Sequence, residues 1–120
     1  MSVRSGTAFK LIDSGEWTTA LEAGHYHGST VDRTDGYIHM STATQLAETA
    51  RRHYAGRGGL VLLAVQTAAL GDALVWEPSR GGDLFPHLYG PLPVTAVGNV
   101  RALMVSDDGH MRFDDGGTAP

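Results

Sequence analysis

The run LVLLAV, residues 60–65, is the most apolar segment of this 120-residue sequence and is the starting point for predicting its fold. It follows the glycine pair Gly58-Gly59, and its length and branched side chains are typical of a strand that is buried on both faces. We therefore predict a central strand at residues 60–65, against which the other elements pack.

Upstream of this run, the sequence first predicts a strand and a helix. The strand covers residues 8–12. Asp13 is the expected N-cap of the helix, Glu16 completes a capping box, and Gly24 ends the helix. The predicted apolar face of the helix consists of Trp17, Ala20 and Leu21.

The segment HYHGSTVDRTDG, residues 25–36, is polar and rich in turn-forming residues, so we predict a loop, with a short strand around residues 25–27 as an alternative. Residues 36–41, GYIHMS, form a strand of alternating character. A second capping box at residues 42–45 begins a helix that continues to about Tyr54.

Downstream, the sequence predicts mainly strands: one at residues 73–76, one or two within residues 94–105, and a hairpin turn at residues 106–109 that leads into residues 110–113. Helices come early and strands later, without a repeated βαβ pattern. This order favours one α+β domain over residues 1–120, with its core at about 8–105 and a frayed tail at 114–120. We expect a curved, mostly antiparallel or mixed sheet with two main helices.

The composition excludes several classes of function. The formal net charge is −4 and the basic residues are scattered, which disfavours binding to extended nucleic acid or to membranes. The absence of cysteine excludes disulfides, a thiolate nucleophile and the usual structural zinc sites. No segment is apolar enough for a signal peptide or a membrane span, so we expect a cytoplasmic protein. The oligomeric state is not indicated.

The strand at residues 36–41 carries a row of polar side chains. Alternate residues of a strand share a face, so Tyr37, His39 and Ser41 point one way while Ile38 and Met40 point into the core. Such a row, just before a capped helix, suits a polar ligand. The alternative is a solvent-facing strand edge on which Ser41 helps to cap the helix.

A second group of reactive side chains lies in WEPSRGGDLFPHLYGPLP, residues 76–93. Prolines and glycines stiffen this segment around Glu77, Arg80, His87 and Tyr89. An arginine in a rigid loop suits a phosphate or carboxylate, and a histidine can add a donor or act as a general acid or base. The alternative is an internal Glu77–Arg80 salt bridge with a core histidine bonded to the backbone.

The remaining histidines indicate no site. His25 and His27 could both ligate a metal from one strand, but two ligands are too few, and we predict no metal site. His53 and His110 are expected to be ordinary surface or packing residues.

Two blocks of the sequence resemble a known family. GYIHMSTATQLAETARRHYAG, residues 36–56, followed by LVLLAV and WEPSRGGDLFPHLYGPLP, closely resembles the bacterial family called domain of unknown function 952. The resemblance runs from about residue 9 to about residue 103. That family is similar in fold to the ADP-ribosyltransferase superfamily, including the RNA 2′-phosphotransferases, which implies a strongly bent, split sheet around a cleft for NAD.

The resemblance also implies roles for individual residues. His39 would contact the cofactor ribose with Ser41 beside it, and Arg80 and His87 would bind a phosphate. Glu77 lies in a different motif context from the catalytic glutamate of the transferases; in the enzyme hypothesis it is the acidic candidate and would stabilise an oxocarbenium-like transition state or position a hydroxyl nucleophile.

We therefore expect a protein that binds a nucleotide such as NAD or ADP-ribose, or another anionic small molecule, and whose enzymatic activity is a hypothesis. The expected catalytic residues are His39, Glu77 and His87, and the expected ligand-binding residues are Tyr37, Ser41, Arg80 and Tyr89. One alternative is a non-catalytic binding module with a degenerate cleft. Another is a structural protein in which residues 76–93 serve only packing.

Overall fold

A computed structural model describes residues 6–120, so the first five residues of the predicted domain lie outside the described part. The fold is α+β. The helices are α1 (Ser14–Ala23), α2 (Thr30–Asp35) and α3 (Ala43–His53). The strands are β1 (Thr7–Asp13), β2 (His25–Tyr26), β3 (Ile38–His39), β4 (Leu60–Gln66), β5 (Leu74–Pro78), β6 (Leu84–Leu88), β7 (Leu92–Pro93), β8 (Val97–Val105) and β9 (Met111–Phe113).

Strand β4, which contains the LVLLAV run, lies inside the largest sheet. The order of that sheet is β1-β4-β8-β9, and β4 is buried along most of its length. A three-stranded sheet has the order β3-β6-β5, and β2 pairs with β7. Every strand pairing within residues 6–120 is antiparallel. The predicted central strand and the mostly antiparallel arrangement are therefore confirmed.

One backbone bridge joins the two larger sheets. The amide of Phe9 in β1 donates to the carbonyl of Ser41 at 2.8 Å, and the amide of Ser41 donates back to Phe9 at 2.9 Å. The predicted strand at residues 36–41 therefore consists of β3 and this bridge. β3 pairs with β6, and Ser41, two residues after β3, bridges to Phe9 of β1.

Helix α2 corrects the predicted loop at residues 25–36, and it makes three helices rather than two. Ser29 accepts a hydrogen bond from the amide of Asp32, and the Asp32 carboxylate accepts one from the amide of Ser29. Gly36, with φ of 90°, ends the helix. Six residues are too few to show an apolar period, so the local capping hydrogen bonds decide this helix.

Helix α1 has the predicted end and the predicted N-cap residue, Asp13, but no capping hydrogen bond from the Asp13 side chain. Gly24 adopts φ of 87° and its amide bonds to the carbonyl of Ala20. The Asp13 side chain makes no capping bond, because Asp13 is the last residue of β1 and its carboxylate pairs with Arg57 at 3.3 Å. Leu21, predicted on the apolar face, is exposed.

Helix α3 begins at the predicted capping box of Thr42 and Gln45 and is capped at Tyr54, which confirms the prediction. Its buried side chains, Leu46 and Ala50, pack in a core cluster with β1, β4, β8 and β9. A second cluster joins Trp17 of α1 to the apolar sides of β3 and β6. The hairpin between β8 and β9 is also as predicted. In the described tail, Asp115 pairs with Arg101 at 2.9 Å.

None of the helices in residues 6–120 is long and apolar enough to cross a membrane.

Candidate functional site

One face of the three-stranded sheet collects five of the seven predicted site residues. His39 of β3 lies directly opposite His87 of β6. Alternate residues of a strand share a face. Tyr37, two residues before His39, and Tyr89, two residues after His87, therefore lie on this side as well. In β5, the residue opposite His87 lies two positions before Glu77. Glu77 is therefore on the same face and completes the group. We call these five residues the aromatic–histidine face.

The rings of this face are in direct contact. Tyr37 stacks on His87 with ring centroids 4.1 Å apart, and it lies 4.5 Å from the ring of His39 and 5.2 Å from that of Tyr89. His39 and His87 meet edge to face at 5.6 Å. Tyr89 is exposed and His87 is buried, so the stack has one covered end and one open end.

Glu77 connects the two ends of the stack. Its Oε1 lies 2.8 Å from Nδ1 of His87 and accepts a hydrogen bond from the hydroxyl of Tyr89, also at 2.8 Å. The hydrogen bond from His87 and then that from Tyr89 lower the pKa of Glu77. Glu77 is therefore a carboxylate at neutral pH. The predicted alternative of an internal Glu77–Arg80 salt bridge is wrong, because these bonds engage Glu77 instead.

His39 is held by a buried ion pair that the sequence analysis missed. Oδ1 of Asp32 lies 2.6 Å from Nδ1 of His39 and also accepts the His39 backbone amide at 3.1 Å. Behind it, Nζ of Lys10 donates to both carboxylate oxygens, at 3.2 and 3.0 Å. Lys10 is 6% and Asp32 2% exposed.

The charge state of Asp32 follows from these partners. Burial alone would raise its pKa, but the hydrogen bond from His39 and the Lys10 ammonium outweigh burial and hold the pKa of Asp32 well below its usual range. Burial lowers the pKa of Lys10, and Asp32 opposes that shift. The result is an anchored carboxylate at Nδ1 of His39. On the other side of the ring, Nε2 lies 2.9 Å from Oδ2 of Asp35, the last residue of α2.

Ser41 and Arg80 form a second group around Thr49 of α3. Ser41 is buried, and its hydroxyl lies 2.8 Å from that of Thr49. The guanidinium of Arg80 donates to the same hydroxyl at 3.3 Å and lies over the ring of Phe85 at 4.8 Å. Ser41 was predicted on the open row with His39. That prediction is wrong, because the chain turns into α3 directly after Ser41 and the helix covers it.

Arg80 also lines an open cavity of about 670 Å³ between the start of α3 and the β5–β6 connection. Its other walls include Thr42, Gln45, Trp76 and Phe85. Phe85 lies two residues before His87 on the same side of β6, so the cavity and the aromatic–histidine face adjoin there.

Arginine charges act on His53, the last residue of α3. Partial burial and the charges of Arg80 and Arg52 lower the pKa of His53, and the charges of His39 and Lys10 act in the same direction. His53 is exposed, as expected of a surface residue. Acids lie in the same region, since Glu48 accepts a hydrogen bond from Arg52 at 2.7 Å, and Glu48 and Asp83 line the cavity with Arg80.

A second cavity, of about 480 Å³, lies between α1 and the β2–α2 segment and is lined in part by His25, His27 and Arg33. Within the described residues, no three His, Asp or Glu side chains are grouped so that they could hold a metal ion.

The missed residues had a weak sequence signal. Ser29 and Asp32 have the spacing of a capping box, which predicts α2 and the partial burial of the acid. Lys10 carried no signal, since a lysine in an apolar strand does not reveal its partner 22 residues away.

Fold and site together define a small α+β protein in which a four-stranded and a three-stranded sheet meet at the Phe9–Ser41 bridge, with an aromatic–histidine face beside that junction. Residues 11–100 match the family described as Protein of unknown function (DUF952), and the chain belongs to that family.

The chain is also similar to solved structures of protein CC0527 from Caulobacter crescentus. The crystal structure is 43% identical, has a TM-score of 0.84, and the match covers 88% of this chain and 93% of that chain. The solution NMR structure of the same protein is 45% identical with a TM-score of 0.75, and the match covers 86% and 89%. No curated protein matches the chain.

Proposed function

We propose that the aromatic–histidine face and the adjoining Arg80 cavity bind a nucleotide, such as NAD or ADP-ribose, or another phosphorylated or anionic small molecule. The observation that carries this proposal is the convergence of His39, His87 and two tyrosine rings on one open sheet face. Aromatic rings stack on nucleobases of any identity. Imidazolium and guanidinium groups donate charge-assisted hydrogen bonds to phosphate oxygens.

The electrostatic environment supports an anionic ligand. Arg80 lines the cavity, and its guanidinium helps to lower the pKa of His53. One arginine in an acidic protein can hold one anionic group without providing the long basic track that extended nucleic acid requires.

The arrangement of the sheets is consistent with an ADP-ribosyltransferase-like cleft, which we include in the proposal. Within residues 6–120, one isolated bridge, between Phe9 and Ser41, joins the two larger sheets, and His39 lies two residues before that junction. In such a cleft Glu77 would act on the sugar of the ligand, either by stabilising an oxocarbenium-like transition state or by positioning a hydroxyl nucleophile.

A non-catalytic binding module is the second candidate, favoured by one observation. The Glu77 carboxylate is already engaged by His87 and Tyr89, and so would serve to fix the donors rather than to react. Glu77→Gln distinguishes the two candidates. It should abolish turnover of NAD by an enzyme and leave binding almost unchanged in both cases.

Thermal melting tests the binding proposal. Wild type and Arg80→Ala are melted with NAD, ADP-ribose, nucleoside phosphates and inorganic phosphate, and Arg112→Ala serves as the control because Arg112 is an exposed arginine of β9. A ligand at a hundred times its Kd adds about 2.7 kcal/mol to stability, on the order of 10 °C in a domain of this size. The expected result is a shift that persists in Arg112→Ala and is reduced or lost in Arg80→Ala.

If no ligand shifts the wild type while Arg80→Ala melts at a lower temperature, Arg80 is structural and the nucleotide proposal is wrong.

A further inference from the structure

The Lys10–Asp32 pair is placed to control one atom of His39. A buried ion pair contributes little net stability, because desolvation offsets most of its attraction. Here the pair does something more specific: Oδ1 of Asp32 contacts both the amide and Nδ1 of His39. These two contacts fix the ring plane as well as its position.

A carboxylate only accepts hydrogen bonds, so Nδ1 of His39 must carry a proton. The nitrogen that can change its partner is therefore Nε2. It lies on the half-exposed side of the ring, 2.9 Å from Oδ2 of Asp35. His39 donates to both acids at once only as an imidazolium.

The two acids differ in how firmly they are held. Asp32 is buried and bonded by Lys10, the amide of Ser29 and the amide of His39. Asp35 is exposed, at the end of a six-residue helix. A solvent-exposed ion pair of this kind is weak, so an arriving anion can replace Asp35 at little energetic cost.

We propose that Asp32 and Lys10 are positioning residues that direct the Nε2–H of His39 at the ligand, and that an anionic oxygen of the ligand displaces Asp35 from Nε2. Asp35 then sets the affinity, because only a group that competes with a carboxylate for an imidazolium N–H enters the site. This inference rests on the proposed function and names the ligand atom type and the contact it makes.

Two substitutions that each remove one negative charge should have opposite effects on ligand affinity. Asp35→Asn removes the competitor and should tighten binding of inorganic phosphate and ADP-ribose about fivefold. Asp32→Asn removes the group that fixes Nδ1–H and should weaken binding about tenfold, as loss of a partner that orients a metal-bound histidine does. A merely electrostatic effect would tighten binding in both. Asp114→Asn, an exposed acid after β9, is the charge-matched control.

The experiment is a titration of each variant with phosphate and with ADP-ribose, followed by long-range ¹H–¹⁵N NMR correlations of the imidazole rings. In the wild type, ligand should move the Nε2 signal of His39 while Nδ1 stays protonated. Equal affinity of wild type and Asp35→Asn, or tighter binding by Asp32→Asn, overturns the inference while leaving the binding proposal intact. Binding of neither probe to any variant overturns both.

If Asp32→Asn does not fold, the wild-type spectra decide. A His39 Nε2 signal that moves with saturation by phosphate supports the inference, and one that stays fixed while other signals report binding overturns it.

Discussion

The histidines of two acid–histidine pairs lie opposite each other on neighbouring strands of one sheet, and the two pairs are built in opposite ways. In the Asp32–His39 pair the acid is 2% and the histidine 34% exposed, whereas in the Glu77–His87 pair the acid is 36% and the histidine 5% exposed. The more exposed partner is the histidine of β3 in the first pair and the carboxylate of β5 in the second, and β6 lies between these two strands.

The difference also separates stability from binding. Asp32 is joined to Lys10 inside the core, so changes there act on the whole fold. Glu77 accepts its hydrogen bonds near the surface, where water can replace them. Substitution of each acid tests whether burial of the acid is what distinguishes the two pairs.

The largest effect is expected from Asp32→Ala, which leaves the Lys10 ammonium buried without its partner. Breaking a buried ion pair from one side costs about 3–5 kcal/mol. We expect the Tm to fall by about 10–20 °C. Glu77→Ala, the matched change in the exposed acid, should lower the Tm much less. The Tm of both variants is measured by thermal unfolding monitored by circular dichroism.

The double variant Lys10→Met/Asp32→Ala is the control for this explanation. Removing the stranded charge should recover part of the loss, because replacing both members of a buried pair by apolar groups is often close to neutral. Strictly additive losses, or equal losses for Asp32→Ala and Glu77→Ala, would show that the Lys10 charge is not the cause.

A smaller effect is expected from acid. The folded-state pKa of Asp32 is below its unfolded value of about 3.9. Its contribution to the unfolding free energy is therefore complete above pH 4 and is lost as the pH falls through the folded-state pKa. Urea unfolding of the wild type at pH 5, 4 and 3 should show this loss, and a smaller one in Asp32→Asn.

Glu77→Gln separates this contribution from that of Glu77, whose pKa is also lowered by hydrogen bonds from His87 and Tyr89. The Glu77 share of the acid dependence has the same sign and should be absent in Glu77→Gln, whereas that of the Lys10–Asp32 pair should remain. If Glu77→Gln removes the whole acid dependence, the Lys10–Asp32 pair does not produce it.

The fold was largely predictable because its signals are local. The LVLLAV run, the Thr42–Gln45 capping box and Gly24 each specify an element through residues close in sequence, and those elements are confirmed. The alternation of residues along a strand also predicted that Tyr37 and His39 lie on one side of it. Helix α2 was missed because it is too short for a period and only its capping hydrogen bonds mark it.

The site was less predictable because its contacts are long-range. The pairing of His39 with His87 depends on strand register, and Lys10 meets Asp32 across 22 residues. The β5–β6 turn carries Arg80 to Thr49 of α3, a contact that its position in the sequence does not indicate. No spacing along the chain encodes which strands become neighbours.

The smallest effect is expected from Tyr89→Phe, which removes one hydrogen bond to Glu77 at the exposed end of the stack. An exposed hydrogen bond contributes little to the free energy of unfolding, because water replaces the lost donor. Since the Tyr89 bond helps to lower the pKa of Glu77, that pKa should rise towards its ordinary value in a ¹³C-carboxyl titration. Tyr54→Phe is the comparison: the hydroxyl of Tyr54 is partly buried and donates to the carbonyl of Leu11 at 2.9 Å, so its removal leaves an acceptor that water reaches less easily and should cost more. A larger loss of stability from Tyr89→Phe than from Tyr54→Phe would mean that the Glu77 pair supports the fold as the Asp32 pair does, and the division between a structural and a ligand-facing acid would not hold.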